Sequence, residues 1–235
     1  MSNAARTFVF AGLLCLVCSL LLTAAATGLK TYQERNVEVD RQKNILMAVG
    51  AVKEDGRPSA ERIQTLYAET IRRVFVDSAG RIVSESEQGA SDLPLYVYEK
   101  GGKISSYVVP IDSRGLWGPI HGYMALEADG STIRGFTVYQ HQETPGLGGE
   151  IEKDWFQENF VGKKIVDRSG DFVSVSVAKG DVEEVVPAEK RSHYVDGISG
   201  ATMTGKFLSE GLADTLADYE PVSIQFRKNS PKLPQ

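Results

Sequence analysis

From Thr7 to Leu29 the chain carries no charged side chain, and the 23 residues TFVFAGLLCLVCSLLLTAAATGL are almost wholly apolar. At a rise of ~1.5 Å per residue a helix of this length reaches ~34 Å, enough to cross the hydrocarbon core of a bilayer. Ala24 and Ala26 ahead of Thr27 would satisfy the small-residue rule of a signal-peptidase site, but the run exceeds the ~7–15 residues of a signal core. An uncleaved anchor is therefore expected over residues 1–29. Residues 30–49 turn polar, with Tyr32, Val39, Leu46 and Val49 at near-heptad spacing and Gly50 placed to end a helix, which predicts that the membrane helix continues or restarts as an amphipathic stalk. Gly56-Arg57-Pro58 breaks the chain and closes a stalk and linker segment at residue 58. Ser59 then caps a helix whose Ile63, Leu66, Tyr67, Ile71 and Val74 form one face.

From about residue 72 to 140 the period shortens to that of strands. Val74-Phe75-Val76 runs into Ser78-Ala79-Gly80, Leu95–Tyr98 and Ile104–Val109 flank Gly101-Gly102, and His121–Glu127 and Ile133–Gln140 flank Ala128-Asp129-Gly130. Tight turns between alternating runs predict an antiparallel sheet. Trp155, Phe156 and Phe160 predict a helix from about Gly149 to Asn159, Lys164–Val166 and Val173–Val177 two strands, and Leu208, Leu212, Leu216 and Tyr219 a last helix. No βαβ rhythm is present, so the expected class is α+β, an antiparallel sheet with packed helices. The folded domain is expected over 59–220, and the stretch 221–235, ending Ser230-Pro231-Lys232-Leu233-Pro234-Gln235, as a loose tail.

Charge and cysteine usage narrow the chemistry. Of 26 Lys and Arg and 31 Asp and Glu, only Arg6 lies before residue 30, so the remainder is acidic and nucleic acid is not expected as a partner. Cys15 and Cys18 both lie in the apolar run, which leaves no thiolate site or disulfide in the rest of the chain. His121, His141 and His193 show no metal-ligand spacing and are expected to be structural or at the surface. Glu150, Glu152 and Asp154 suit a helix start. Lys30, Arg35, Arg41 and Lys43 follow the anchor, so the charge rule alone does not orient it. A long C-terminal domain still favours N-in, C-out. The apolar run holds no carboxylate, and no ion site is expected within it.

Two stretches could carry a ligand. In Asp196-Gly197-Ile198-Ser199-Gly200-Ala201-Thr202-Met203-Thr204 small residues run into a helix, so a planar or phosphorylated group could approach the backbone and meet free N–H groups. From these residues alone, a flexible loop with an N-cap is the better reading. Glu143-Thr144-Pro145-Gly146-Leu147-Gly148-Gly149-Glu150 predicts a rigid glycine turn that could wall a pocket, and it is no dinucleotide fingerprint. Trp117, in the loop Ser113-Arg114-Gly115-Leu116-Trp117-Gly118, has the shape to stack on a flat ring or to fill the core.

Asp-Gly-Ile-Ser-Gly-Ala-Thr at 196–202 resembles the flavinylation motif of the FMN-binding domain family, and Glu143–Gly148 resembles that family's second signature. Gly28–Val49 and Ser113–Gly118 are similar to the C subunit family of Na+-translocating NADH:quinone oxidoreductases. The resemblance implies an FMN held through a phosphoester on Thr202, attached by a separate flavin transferase that uses FAD and a divalent metal. It places Asp196, Ser199, Gly200 and Ala201 in the attachment motif, with Thr204 as the nearest competing hydroxyl. It lines the flavin with Glu143, Thr144 and Leu147, with Gly146 and Gly148 in the same turn, and offers Lys179 to the phosphate or ring oxygens, though a lysine at a hairpin tip is more often simply solvated; Lys206, near the helix start, suits the phosphate or solvent equally. It further implies a single-pass subunit of the bacterial inner membrane with its domain in the periplasm, relaying electrons among other membrane subunits toward quinone while the complex moves Na+. Little activity is expected of the isolated chain. The G subunit of Rnf-type ferredoxin:NAD+ complexes is the alternative from the same cofactor class, and an anchored assembly module without a redox cofactor is the alternative from another.

Overall fold

The computed structural model describes the chain except residues 1, 54, 55, 57, 229, 230, 232, 234 and 235. Arg57 of the expected break and most of the terminal segment 230–235 lie outside the described residues. The chain divides into two compact units, Met1–Asp40 and Arg41–Gln235. Helix α1 (Asn3–Ala48) supplies nearly all of the first. Among the described residues it is the one helix long and apolar enough to cross a membrane, and none of its apolar stretch is buried. Leaving side chains such as Phe8, Leu13, Leu20 and Leu22 in water would forfeit ~1.5–3 kcal/mol each, so this stretch is built for a nonaqueous surrounding.

The helix continues without a restart, and of the near-heptad residues Leu46 and Val49 are buried and Val39 half-buried. Tyr32 is 69% exposed, and burial is confined to Asn44, Ile45, Leu46, Ala48 and Val49 at the end. Gly50, at φ 69°, stops the helix: its N–H bonds Met47 O at 2.9 Å and the Ala51 N–H bonds Leu46 O at 2.9 Å, a Schellman closure.

The second unit opens with α2 (Ala60–Thr70), whose cap is as expected, the Ser59 hydroxyl accepting the Arg62 N–H at 3.3 Å. Ile71 and Val74, expected on that helix face, belong instead to β1 (Ile71–Val76), where a run rich in branched and aromatic side chains favours the extended chain. With β2 (Ile82–Val83), β3 (Leu93–Lys100), β4 (Lys103–Arg114), β5 (Pro119–Glu127) and β6 (Ile133–Gln140) it forms a six-stranded antiparallel sheet in the order β2-β1-β3-β4-β5-β6. Gly101 and Gly102, both with positive φ, join β3 to β4 in the tight turn their sequence predicts.

Alternation along the strands gives the sheet two buried faces. Leu95, Val97, Tyr107, Val109, Met124 and Leu126 face the main core. Tyr96, Tyr98, Val108, Tyr123 and Ala125 occupy the alternate, also buried positions. The last turns of α1 cover part of this second face: Thr137 Oγ1 donates to Asn44 O at 3.4 Å, Arg134 Nε donates to Val49 O at 2.7 Å, and a side chain on Gly135 would strike Ala48 O.

Beyond β6 the chain departs from its sequence pattern in three places. The helix expected over 149–159 is a 3-10 turn, Gly148–Glu152, followed by the short α3 (Asp154–Glu158), because Lys153 between them is extended at φ −82°, ψ 144°. The strands expected at 164–166 and 173–177 shrink to isolated bridges and to β7 (Ser176–Val177). After the short α4 (Val182–Val185) and a 3-10 turn, Ala188–His193, β8 (Tyr194–Val195) pairs with β7 in parallel. Ser174, at φ 62°, turns the chain out of the extended conformation that a straight strand would require. Lastly, the expected loose tail from Pro221 is instead α6 (Glu220–Arg227), which follows α5 (Thr202–Asp218). Val222 and Phe226 are buried, Phe226 stacks on Tyr107 with centroids 4.1 Å apart, and the Tyr107 hydroxyl donates to Ser223 Oγ at 2.8 Å. Burial holds that phenol well above its ordinary range.

Two stability measurements follow from this unit. Ser174 is buried, left-handed, and its hydroxyl has no partner among the described residues. The conformation costs roughly 1–2 kcal/mol for a residue with a side chain, and an unpaired buried hydroxyl ~1–3 kcal/mol. Against these stands ~0.4–1 kcal/mol of extra glycine entropy in the unfolded chain. Ser174→Gly is expected to stabilise by ~1 kcal/mol, read as a higher urea midpoint at unchanged slope. At the β5–β6 turn, partial burial pushes the Asp129 carboxyl up, but hydrogen bonds from Thr132 and Ser131 and the nearby Lys164 outweigh it and hold the group below its usual range. A lowered carboxylate stabilises above its unfolded pKa and loses that contribution as pH falls through the folded value. Stability should therefore decline below about pH 4, and less steeply in Asp129→Asn.

Candidate functional site

The glycine turn after β6 forms as its sequence dictates. Pro145 and Gly146 occupy the two central positions, Gly146 has φ 74°, and the Leu147 N–H closes on Thr144 O at 3.1 Å, a type II turn. The Gly149 N–H also bonds Thr144 O, at 2.9 Å, which leads the chain into the 3-10 turn. Thr144 is exposed, and Leu147 projects outward, 43% exposed. Gly148 is buried where no side chain fits: a Cβ there would lie 2.5 Å from Thr204 Oγ1 and 2.6 Å from Glu143 Oε2.

This turn faces the start of α5. Gly200, at φ 75°, lies so near Leu147 that a Cβ on it would be 2.9 Å from Leu147 Cδ2. Ala201, at φ −122°, ψ 33°, precedes the helix and provides no side-chain cap. The first helical bond across this end runs from the Gly205 N–H to Ala201 O at 3.0 Å. The N–H groups of Thr202, Met203 and Thr204 have no partner among the described residues, and they carry the positive end of the helix dipole. Ser199 and Thr202 are exposed. Thr204 is 1% exposed, and its hydroxyl donates to the Glu143 carboxylate. Lys206 points to Glu210, at 3.7 Å.

Asp196 has a local task. Its Oδ1 accepts the Val182 N–H at 2.8 Å and so caps α4, while Gly197 packs against Ala178 O and bonds Gly180 O through its N–H at 2.9 Å. Lys179 stands exposed in the turn that Gly197 touches.

Glu143 is 5% exposed, and besides Thr204 it accepts the Trp117 N–H at 3.0 Å. Gly115 permits this approach, since a Cβ there would lie 2.5 Å from Glu143 Oε1. The Glu143 N–H donates to His141 Nδ1 at 3.1 Å, and His141 Nε2 lies 3.0 Å from Glu152. Lys153 first, and His141 second, hold the Glu152 carboxyl below its usual range. The Trp117 ring is 67% exposed, so it is not a core side chain. Its loop, residues 112–119, borders an open groove of ≈ 650 Å³. Leu116 and Met203 are exposed as well.

The structure thus brings together Thr202, the Thr144–Gly148 turn, Glu143 and the Trp117 loop, and sets Asp196 and Lys179 on the adjoining Ala178–Gly197 crossing. Sequence reasoning treated Glu143 as lining the ligand and Thr204 as a competing hydroxyl beside it, took His141 as structural or at the surface, and passed over Met203. The signal for Thr204 was present: it stands four residues before Leu208 in the series that continues to Leu212 and Leu216, all buried, whereas Thr202 lies off that stripe. The exposed hydroxyl, the unpaired N–H groups and the glycine walls at 148 and 200 fit a phosphate carrying a flat ring. Among the described residues no group of His, Cys, Asp and Glu could hold a metal ion.

Residues 115–217, from the Trp117 loop to the end of α5, match the FMN-binding domain family. Full-length relatives are more specific. The chain is 32% identical over 231 residues to the C subunit of the Na(+)-translocating NADH-quinone reductase of Pseudomonas aeruginosa, spanning 86% of this chain and 87% of that one. It is 33% identical over 226 residues to the corresponding C subunit of Vibrio parahaemolyticus, spanning 82% of each. The crystal structure of the C subunit from Parabacteroides distasonis superposes with a TM-score of 0.71 at 33% identity, covering 83% of this chain and 96% of that one. Shewanella oneidensis NqrC, at 24% identity, shares the fold with a TM-score of 0.66 over 84% of this chain and 99% of its own. The chain belongs to the C subunit family of Na+-translocating NADH-quinone reductases.

Proposed function

We propose that this chain is the electron-transfer C subunit of a Na+-translocating NADH-quinone reductase, holding FMN as a phosphoester of Thr202. The observation that carries the reading is the exposed Thr202 hydroxyl at the uncapped start of α5, where the neighbouring Gly200 lies against Leu147 and Gly148 lies against Thr204. Bound there, the flavin supplies reversible electron transfer. The chain's own work is to hold and shield it. The N–H groups of Met203 and Thr204 and the helix dipole stabilise the phosphate charge. Leu147, Met203 and Trp117 offer apolar surface to the ring, Thr144 and Ser199 flank it, and Lys179 supplies a cation for phosphate or ring oxygens. A Thr hydroxyl is a weak nucleophile and, among the described residues, no base hydrogen-bonds the Thr202 hydroxyl, so a flavin transferase would supply the base and the metal during maturation.

In this reading residues 1–29 anchor the chain in the bacterial inner membrane, 30–58 link it, and the FMN-binding domain, from residue 59, faces the periplasm among the other membrane subunits. The relatives among these C subunits favour this over an Rnf-type G subunit, and the FMN-binding match favours it over a module without a cofactor. The test is direct: the full chain, co-expressed with a flavin transferase and denatured, keeps flavin fluorescence on the polypeptide band, and a dark band would remove the assignment. Protease added to intact spheroplasts should digest the domain, and protection would reverse the orientation.

A further inference from the structure

The Glu143 carboxylate is buried at the meeting point of three segments distant in sequence. Oε1 accepts the Trp117 N–H, 26 residues earlier, and Oε2 accepts the Thr204 hydroxyl, 61 residues later. The Thr144–Gly148 turn folds back on it, with Gly148 against Oε2 and Gly115 against Oε1. Both oxygens are therefore used inside the protein, and no ion pair reaches the group among the described residues. A buried acidic side chain held only by hydrogen bonds contributes less to stability than an apolar residue of the same size, so its value lies in what it fixes.

We propose that Glu143 is the positioning residue of the site: it ties the Gly115–Gly118 loop to the first turn of α5 and so sets where Trp117 stands relative to Thr202. The inference rests on the reading of Thr202 as the flavin attachment point, but the tie itself can be measured with or without flavin. Glu143 does not touch the flavin in this role. It acts through the Trp117 backbone and through Thr204, whose burial leaves Thr202 as the presented hydroxyl.

The experiment uses the full chain, with and without transferase co-expression, as wild type, Glu143→Gln, Glu143→Ala, Thr204→Val and, as a control for plain loss of stability, Leu212→Ala. Hydrogen exchange is followed in residues 113–118 and 202–206, together with the visible circular dichroism of the flavin in loaded samples. Gln retains an acceptor for the Trp117 N–H and an amide for Thr204, so Glu143→Gln should stay near wild type. Glu143→Ala should exchange about tenfold faster in both segments. Thr204→Val should loosen the 113–118 loop through Glu143 and change the flavin dichroism in the same direction as Glu143→Ala. Leu212→Ala should lower the unfolding temperature and leave the dichroism unchanged. Glu143→Ala and Thr204→Val that behave like Leu212→Ala would overturn the proposal. A wild-type chain without flavin on Thr202 would instead count against the attachment site, and exchange in the unloaded chain would still decide on the tie.

Discussion

Thr202→Ala is expected to abolish covalent flavin completely, while Thr204→Ala leaves the flavin on Thr202. The two hydroxyls are two residues apart on α5 but face opposite surroundings: Thr202 is exposed, and Thr204 is buried with its proton directed to Glu143. A transferase needs an accessible oxygen, so only the first can serve as acceptor. Thr204→Ala removes a donor from a buried carboxylate and should instead cost ~1–3 kcal/mol of stability. In-gel fluorescence of denatured samples and thermal unfolding of the same preparations separate the two effects. Fluorescence surviving in Thr202→Ala, or vanishing in a folded Thr204→Ala, would contradict this assignment of roles.

The largest effect on folding is expected at Phe226. Its ring is 1% exposed and stacks on Tyr107, one of the largest fully buried side chains of the sheet. Phe226→Ala should cost ~3–5 kcal/mol, a large part of the ~5–15 kcal/mol that holds a typical domain together. Thermal unfolding of the detergent-solubilised chain would show it, and a loss below ~1 kcal/mol would mean that α6 is not part of the core.

That helix marks where the sequence was hard to read. Pro221 looked like the end of order, yet proline fits the first turn of a helix, and Val222 and Phe226, four residues apart, already formed an apolar face. The sheet was legible because its strands are separated by glycine turns whose backbone only glycine adopts readily, as at Gly101-Gly102. Residues 149–177 were not, because Lys153 and Ser174 break regular structure through backbone conformations that no local pattern announces. At the site, both glycine-containing stretches were recognisable, and so was Thr202 beside the helix start. The inward turn of Glu143 depends on contacts with Trp117 and Thr204, 26 and 61 residues away, which only the fold supplies.

The central claim, FMN on Thr202, is tested most directly by peptide mass analysis of the full chain matured with a flavin transferase. Trypsin should release residues 192–206, which hold both Thr202 and Thr204 between Arg191 and Lys206. This peptide is expected to gain the mass of one FMN less one water, with fragment ions placing the addition on Thr202. An unmodified peptide from a chain that has met active transferase, or an addition localised to Thr204, would contradict it.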